Sequence, residues 1–210
     1  SERLAQLTER VLFLFRFGQD AVQYHPGPSD LGEAVRLAAE SFRARYTVIA
    51  GVPDDAATDA PDVQVEIPPG LPVVQLDRAA FSQVLLNLLD NAAKYGRPVG
   101  AVPEGRGKFP IDITVSCMRR RAGPLRMRRD WVCVTVRDYG PGLAADLRKR
   151  VFRRYYRAPG AQNANVSGLG LGLSVCRHAL RGHGGWIEAT APESGPGTAF
   201  TCGLPVGGSG

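Results

Sequence analysis

Asn87, Asn91 and Lys94 stand at i, i+4 and i+7, which is one flank of a helix if the segment is helical. Asparagine is a poor residue inside a helix, because its amide competes for the backbone's hydrogen bonds. An amide oxygen is a hard ligand suited to Mg2+, which takes few protein groups and keeps water and phosphate oxygens around it. A lysine one turn further on can meet phosphate as a point charge. A plain polar flank has the same spacing, so the trio alone leaves both readings open.

Two glycine motifs follow. Asp138-Tyr139-Gly140-Pro141-Gly142 comes directly after the β-branched run ending at Arg137. A carboxylate at a strand end can accept a hydrogen bond from an exocyclic amine, while the glycines let a flat base approach the backbone; a simple β-turn reads the same way. Gly168-Leu169-Gly170-Leu171-Gly172-Leu173-Ser174 leads into a helical pattern, and exposed N–H groups at the positive end of a helix make an anion site. The spacing is not that of a dinucleotide fingerprint, since Leu173 stands where a glycine is needed, and no Gly-Lys-Ser/Thr follows as in a Walker loop.

The elements that position these residues can be read from periodicity. Phe81, Val84, Leu85, Leu88, Leu89 and Ala92 form one apolar stripe, and Asp77 caps the helix that carries it. A second helix begins after Ser29 or Asp30, with Leu31, Val35, Leu37 and Ala38 among its apolar positions. Residues 63–67, 73–76, 111–118, 131–137, 186–190 and 198–204 read as strands. Residues 143–152 read as a short helix and 172–182 as a longer one, while 153–167 has the composition of a mobile loop. Leu4, Leu7, Val11 and Leu14 predict a helix over 4–17 whose apolar face needs a partner, and Gly18 with His25-Pro26-Gly27-Pro28 ends it in a linker. Irregular alternation of strands and helices predicts an α+β fold, a two-layer sandwich with helices on one face of a mixed sheet.

Composition narrows the class. The 210 residues suit one buried domain with a short appendage, and no apolar run approaches the roughly 18 residues of a membrane span. The four cysteines make no metal spacing and sit in apolar runs, so all four read as buried reduced thiols. The net charge of +6 owes much to Arg119–Arg121 and Arg126–Arg129, which flank Gly123-Pro124 and read as a solvated hairpin loop. No nucleic-acid partner is expected from them.

The four pieces occur in one order: Asn87-Leu-Leu-Asp-Asn91-Ala-Ala-Lys94-Tyr95, Asp138-Tyr-Gly-Pro-Gly142, Phe152-Arg-Arg-Tyr-Tyr-Arg157, then Gly168-Leu-Gly-Leu-Gly-Leu-Ser174. This resembles the N box, first glycine box, F box and second glycine box of sensor histidine kinases, whose Bergerat ATP-binding fold is shared with gyrase, a heat-shock chaperone and the mismatch-repair ATPases. The resemblance runs over about residues 77–205. It implies Mg2+ and ATP as cofactors. Asn91 would ligate the metal, with Asn87 close to metal and phosphates, Lys94 on phosphate and Tyr95 lining the pocket. Asp138 would recognise the adenine amine, with Gly140 and Gly142 shaping the pocket and Thr198 at the adenine end. Residues 153–167 would be the lid, from which Arg154 and Arg157 reach the phosphates, and Gly168, Leu169, Gly170, Leu171 and Gly172 would wrap the triphosphate.

The catalytic set implied is Asn87, Asn91, Lys94 and Arg157. Gyrase-like relatives place a water-activating glutamate where Asn87 stands, so transfer to a histidine, already nucleophilic when neutral, fits better than hydrolysis. The family's acceptor motif is not found, and none of His25, His178 and His183 resembles it. The implied organisation is residues 1–20 as the end of a dimerisation helix, 21–28 as linker, 29–206 as the catalytic ATP-binding domain and 207–210 as a flexible tail. The implied partners are the chain's own dimerisation domain and a response-regulator receiver domain, in a homodimeric, cytoplasmic or membrane-attached kinase. A non-catalytic ATP-binding module and a serine kinase of the same fold are the alternatives.

Overall fold

The computed structural model describes residues 23–49, 60–100, 102–122, 127–158 and 170–207. The helix expected over 4–17 and the tail at 208–210 lie outside the described residues. In chain order the elements are β1 (Gly27–Ser29), α1 (Leu31–Ile49), β2 (Asp62–Glu66), β3 (Val74–Leu76), α2 (Arg78–Tyr95), β4 (Pro110–Ala122), β5 (Met127–Asp138), a 3-10 turn (Arg150–Phe152), α3 (Gly172–Gly182), β6 (Trp186–Thr190) and β7 (Ala199–Pro205).

Five strands form one sheet in the order β2-β4-β5-β7-β6, with β2 parallel to β4 and every other pairing antiparallel. The register puts Ile113 opposite Val136, Val115 opposite Val134, and Val134 opposite Cys202, so these side chains share a face. That face is dry. It packs against Phe42 of α1, Phe81, Leu85 and Leu88 of α2 and Leu180 of α3 in one core cluster. Each such side chain, fully removed from water, contributes about 1.5–3 kcal/mol. The opposite face carries Thr135 and Thr201, whose hydroxyls lie 2.9 Å apart, and the Trp131 and Trp186 rings, edge to face at 6.1 Å. The mixed sheet with three helices on one face is the α+β sandwich expected from the sequence.

Local chemistry explains the helix starts. Asp30 accepts the Glu33 N–H at 3.1 Å and caps α1; Asp77 accepts the Ala80 N–H at 3.1 Å and caps α2. The buried stripe of α1 is Leu31, Ala34, Val35, Ala38, Ala39 and Phe42. Leu37 falls off that stripe and is 54% exposed, so it is not a core position.

Other readings are corrected. Cys133, Cys176 and Cys202 are buried, but Cys117 is exposed. The arginine clusters are not a loop: the β4–β5 ladder runs on through Arg119, Arg120, Arg128 and Arg129. Arg119 pairs with Asp130 directly opposite at 2.7 Å. The helix expected at 143–152 forms only turns and the 3-10 segment. Residues 27–29, read as linker and cap, make a strand against β3, with Gly27 opposite Leu76 and Ser29 opposite Val74.

Candidate functional site

The site is built on α2, which lies antiparallel to α3. At one end of the pair the Asp77 N–H donates to Nε2 of His183 at 3.0 Å. Ten residues along α2, Asn87 faces Gly172: a side chain on Gly172 would place its first carbon 3.7 Å from Asn87 Oδ1. α3 begins there with no side-chain cap on its N-terminal turn. Its first N–H groups therefore lack a side-chain acceptor at the turn that meets Asn87. The Nδ2 of Asn87 is buried with no oxygen or nitrogen acceptor; what it meets is the buried Cys176 sulfur, a weak acceptor. Such a donor is the sort of group that an entering oxyanion satisfies.

Asn91 and Lys94 follow on α2, both partly buried, Lys94 in the last turn. The helix ends at Tyr95, whose side chain is about a third exposed, and Gly96, whose N–H donates to Ala92 O at 2.7 Å. Gly96 lies against Asp138: a side chain there would press on the Asp138 Cβ and the Ala92 carbonyl. Gly140 is as tightly placed, with its missing Cβ only 2.5 Å from the Tyr95 carbonyl. The first glycine motif thus packs backbone to backbone on the end of α2, a contact only glycine permits.

Asp138 is 6% exposed. Its Oδ1 accepts the Gly140 N–H at 3.0 Å and the Thr198 N–H at 3.1 Å. Its own N–H donates to Thr198 O at 3.0 Å. Oδ2 makes no hydrogen bond among the described residues and remains an acceptor. Burial pushes the Asp138 carboxyl above its ordinary value, against the opposing effect of the two N–H donors and of Arg137. Gly142 has φ of 78° and backs onto the Gly197 carbonyl, so both glycine turns converge beneath Asp138.

Phe152 is buried and meets Phe200 edge to face at 6.2 Å, which anchors the turn that leads through Arg154 toward Arg157. Arg154 is exposed and Arg157 partly buried. Gly170 has φ of 70°, and its missing Cβ would lie 2.9 Å from the Tyr156 carbonyl. The two ends of the segment expected to form a lid therefore meet. Gly168 and Leu169 lie outside the described residues. Leu171 and Gly172 open α3 as expected.

The structure thus joins Asn87 to Gly172 at the middle of α2, and Tyr95, Asp138, Gly140 and Thr198 at its end. Sequence reasoning missed Gly96 and Gly197. Gly96 could have been found as the glycine that ends the α2 pattern; nothing in the sequence shows that it touches Asp138. Among the described residues no group of three or more His, Cys, Asp or Glu is placed to hold a metal, and no helix is long and apolar enough to cross a membrane.

The family described as histidine kinase-, DNA gyrase B- and HSP90-like ATPase matches residues 76–208, and the chain belongs to it. Within that family it is similar to sensor kinases. It is 36% identical to the adaptive-response sensory kinase SasA of Synechococcus sp. (strain CC9311), over 69% of this chain and 32% of that protein. It is 34% identical to the SasA of Nostoc sp. (strain PCC 7120), over 86% of this chain and 37% of that protein. The chain spans about a third of the length of these curated relatives. Among solved structures, full-length ShkA in complex with AMPPNP aligns over 99% of this chain and 36% of ShkA at 25% identity, with a TM-score of 0.67. The mycobacterial sensor histidine kinase MprB shares the fold, with a TM-score of 0.60 over 86% of this chain and 97% of its own, at 23% identity.

Proposed function

We propose that this chain is the catalytic and ATP-binding domain of a sensor histidine kinase. ATP lies along α2, adenine on Asp138 and triphosphate on the first turn of α3, and the γ-phosphoryl group passes to a histidine on a dimerisation domain. The observation that carries this is the placing of two polar sites along one helix, one on its flank and one packed against its end. The Asn87 amide, oxygen side first, meets the start of α3, which has no side-chain cap. Further along, the free Oδ2 of Asp138 waits in a glycine-lined cleft.

The residues fit a magnesium nucleotide. Asn91 would supply one amide oxygen to the metal and the nucleotide and water the rest. When bound, Mg2+ would neutralise phosphate charge. The chain's own groups orient and screen: Lys94, Arg154 and Arg157 face the phosphates, and the α3 N–H groups hold their oxygens. Asn87 cannot act as a base at neutral pH, and a neutral imidazole acceptor does not require one. The response-regulator receiver domain and the dimeric cytoplasmic or membrane-attached kinase belong to this same proposal.

The test is calorimetry with AMPPNP, with and without Mg2+, on the intact chain and on Asn91→Ala. Wild type should bind in the micromolar to millimolar range, and Asn91→Ala should lose the Mg2+-dependent part of the affinity while its melting temperature holds. Absence of binding by wild type at millimolar nucleotide would overturn the proposal. Binding without transfer of label to a histidine-bearing partner would favour the non-catalytic module instead.

A further inference from the structure

The connection between α2 and β4 has no regular structure at residues 97–100 and 102–109, yet it carries Arg106, whose side chain is only 9% exposed. Its Nε donates to Asp62 Oδ2 at 2.7 Å and its Nη1 to Asp112 Oδ1 at 2.6 Å. Its Nη2 donates to the carbonyls of Asp62 at 3.0 Å and Ile111 at 3.5 Å. The second oxygen of Asp112 accepts the Tyr139 hydroxyl at 2.6 Å. Tyr139 is the residue between Asp138 and Gly140. Its ring lies under the Arg137 guanidinium at 4.5 Å, and Arg137 also donates to Ser194 O at 2.5 Å, in the turn that leads to Gly197 and Thr198. The Val99 N–H donates to the Tyr139 carbonyl at 3.4 Å.

Tyr139 is therefore held at its hydroxyl, its ring and its backbone. The direction of the Asp138 side chain depends on that hold. Oδ1 is bound by N–H groups on both sides of the cleft, Gly140 just after Tyr139 and Thr198 just after the turn that Arg137 grips. If Tyr139 tilts, the Gly140 N–H turns away, the carboxylate rotates, and Oδ2 no longer faces one fixed point in the cleft. Charge-assisted bonds to a largely buried guanidinium are among the stronger and more directional ones in proteins.

We infer that Tyr139, Asp112 and Arg106 form a positioning network that aims Asp138 Oδ2 and so sets the preference for a base with an exocyclic amine over one with an oxygen there. This rests on the proposed adenine site, and the experiment separates the two. The readout is the ratio of ADP to IDP affinity on the intact chain, since hypoxanthine carries a carbonyl where adenine carries the amine. Wild type should prefer ADP, and Asp138→Asn should abolish the preference, because its NH2 would meet the adenine amine donor to donor. Failure of either result sinks the adenine reading and this inference with it.

With those results in hand, Tyr139→Phe should weaken ADP about five- to tenfold, the effect of losing one well-placed hydrogen bond, and leave IDP within about twofold. A weld with a merely structural role would lower the melting temperature and leave the ratio at its wild-type value, and that result would overturn the inference. Should Tyr139→Phe fold poorly, Asp112→Ala should collapse the ratio while Asp112→Asn, whose oxygen stays on Arg106 and whose NH2 donates to the tyrosine oxygen, retains most of it. A wild-type ratio in Asp112→Ala would overturn the inference equally.

Discussion

Asp138 and Asn87 carry opposite kinds of incompleteness. Asp138 is a buried carboxylate whose charge is opposed by burial, so its proton is held more tightly than that of an ordinary carboxylate. Its folded pKa is raised, and the ionised acceptor is lost as pH falls through that raised value. Nucleotide affinity should therefore begin to drop at a pH above 3.8, the ordinary aspartate value, and a pH series of ADP titrations on the folded chain would show it. Affinity flat down to the ordinary carboxylate range would mean that Asp138 does not accept from the base. The Nδ2 of Asn87 is a buried donor whose acceptor is the weak sulfur of Cys176. Asn87→Leu removes that donor at similar volume and should leave the melting temperature of the nucleotide-free chain at or above its wild-type value, while abolishing Mg-nucleotide binding. A loss of both stability and binding would show that the amide is satisfied in solution. Neither property was legible in the sequence. The residue types and their order pointed to the site, but which oxygen is saturated and which amide meets only a sulfur depends on Thr198, 60 residues from Asp138, and on the start of α3.

At the scale of elements, what the sequence disclosed were those whose signals are local. α2 was legible because a six-residue apolar stripe and an Asp cap agree over a helix of 18 residues. β4 and β5 were read short because consecutive arginines look like a solvated loop. Cross-strand pairs such as Arg119 with Asp130, and Arg120 lying 4.4 Å over the Trp186 ring, keep those residues in the ladder. β1 was hidden by Pro28, which lacks an N–H, and it survives because it pairs on one side only, with β3.

β1 matters because it delivers Tyr24 and His25 to the far ends of α2 and α3. The His25 N–H donates to Asp77 Oδ2 at 3.1 Å, the Tyr24 ring lies 4.9 Å from that of His183, and the Tyr24 ring edge presses on Gly182, leaving no room for a side chain. Burial, and next the Asp77 charge, push the Tyr24 hydroxyl up to about 12. Gly182→Ala should expel the ring. A difference titration should then show one tyrosine ionising nearer 10, with ADP affinity unchanged because Gly172 lies ten residues away along α3. An unaltered titration would show that Tyr24 is not seated there.

The whole molecule is polarised along α2. The entry of the chain at Tyr24 meets the Asp77 end, the triphosphate end of the proposed site lies at Asn87, and the base end lies at Gly96. Ten residues of helix separate Asp77 from Asn87, roughly 15 Å at 1.5 Å per residue. His25 and His183 sit at the far end of that distance, and His178 lies six residues, about 9 Å, along α3 from Gly172. His183 is 5% exposed, with Nδ1 against Ala179 O at 2.7 Å and Nε2 accepting from Asp77, so neither nitrogen is available to attack phosphorus. His25 adjoins Asp77, and His178 lies near Tyr24, with ring centres 6.3 Å apart. In-line transfer needs the nucleophile within about 3–3.5 Å of the reacting phosphorus, which no bending of a packed helix pair supplies. The described domain should therefore incorporate no label from γ-labelled ATP on its own histidines. A separate protein carrying a solvent-exposed histidine on a helix should become labelled when the domain is added, and Asn91→Ala should suppress that labelling at least a hundredfold. Stoichiometric label on His25 or His178 would show that the α2 and α3 ends open far enough to bring them to the phosphate, and the rigid, polarised arrangement would have to be abandoned.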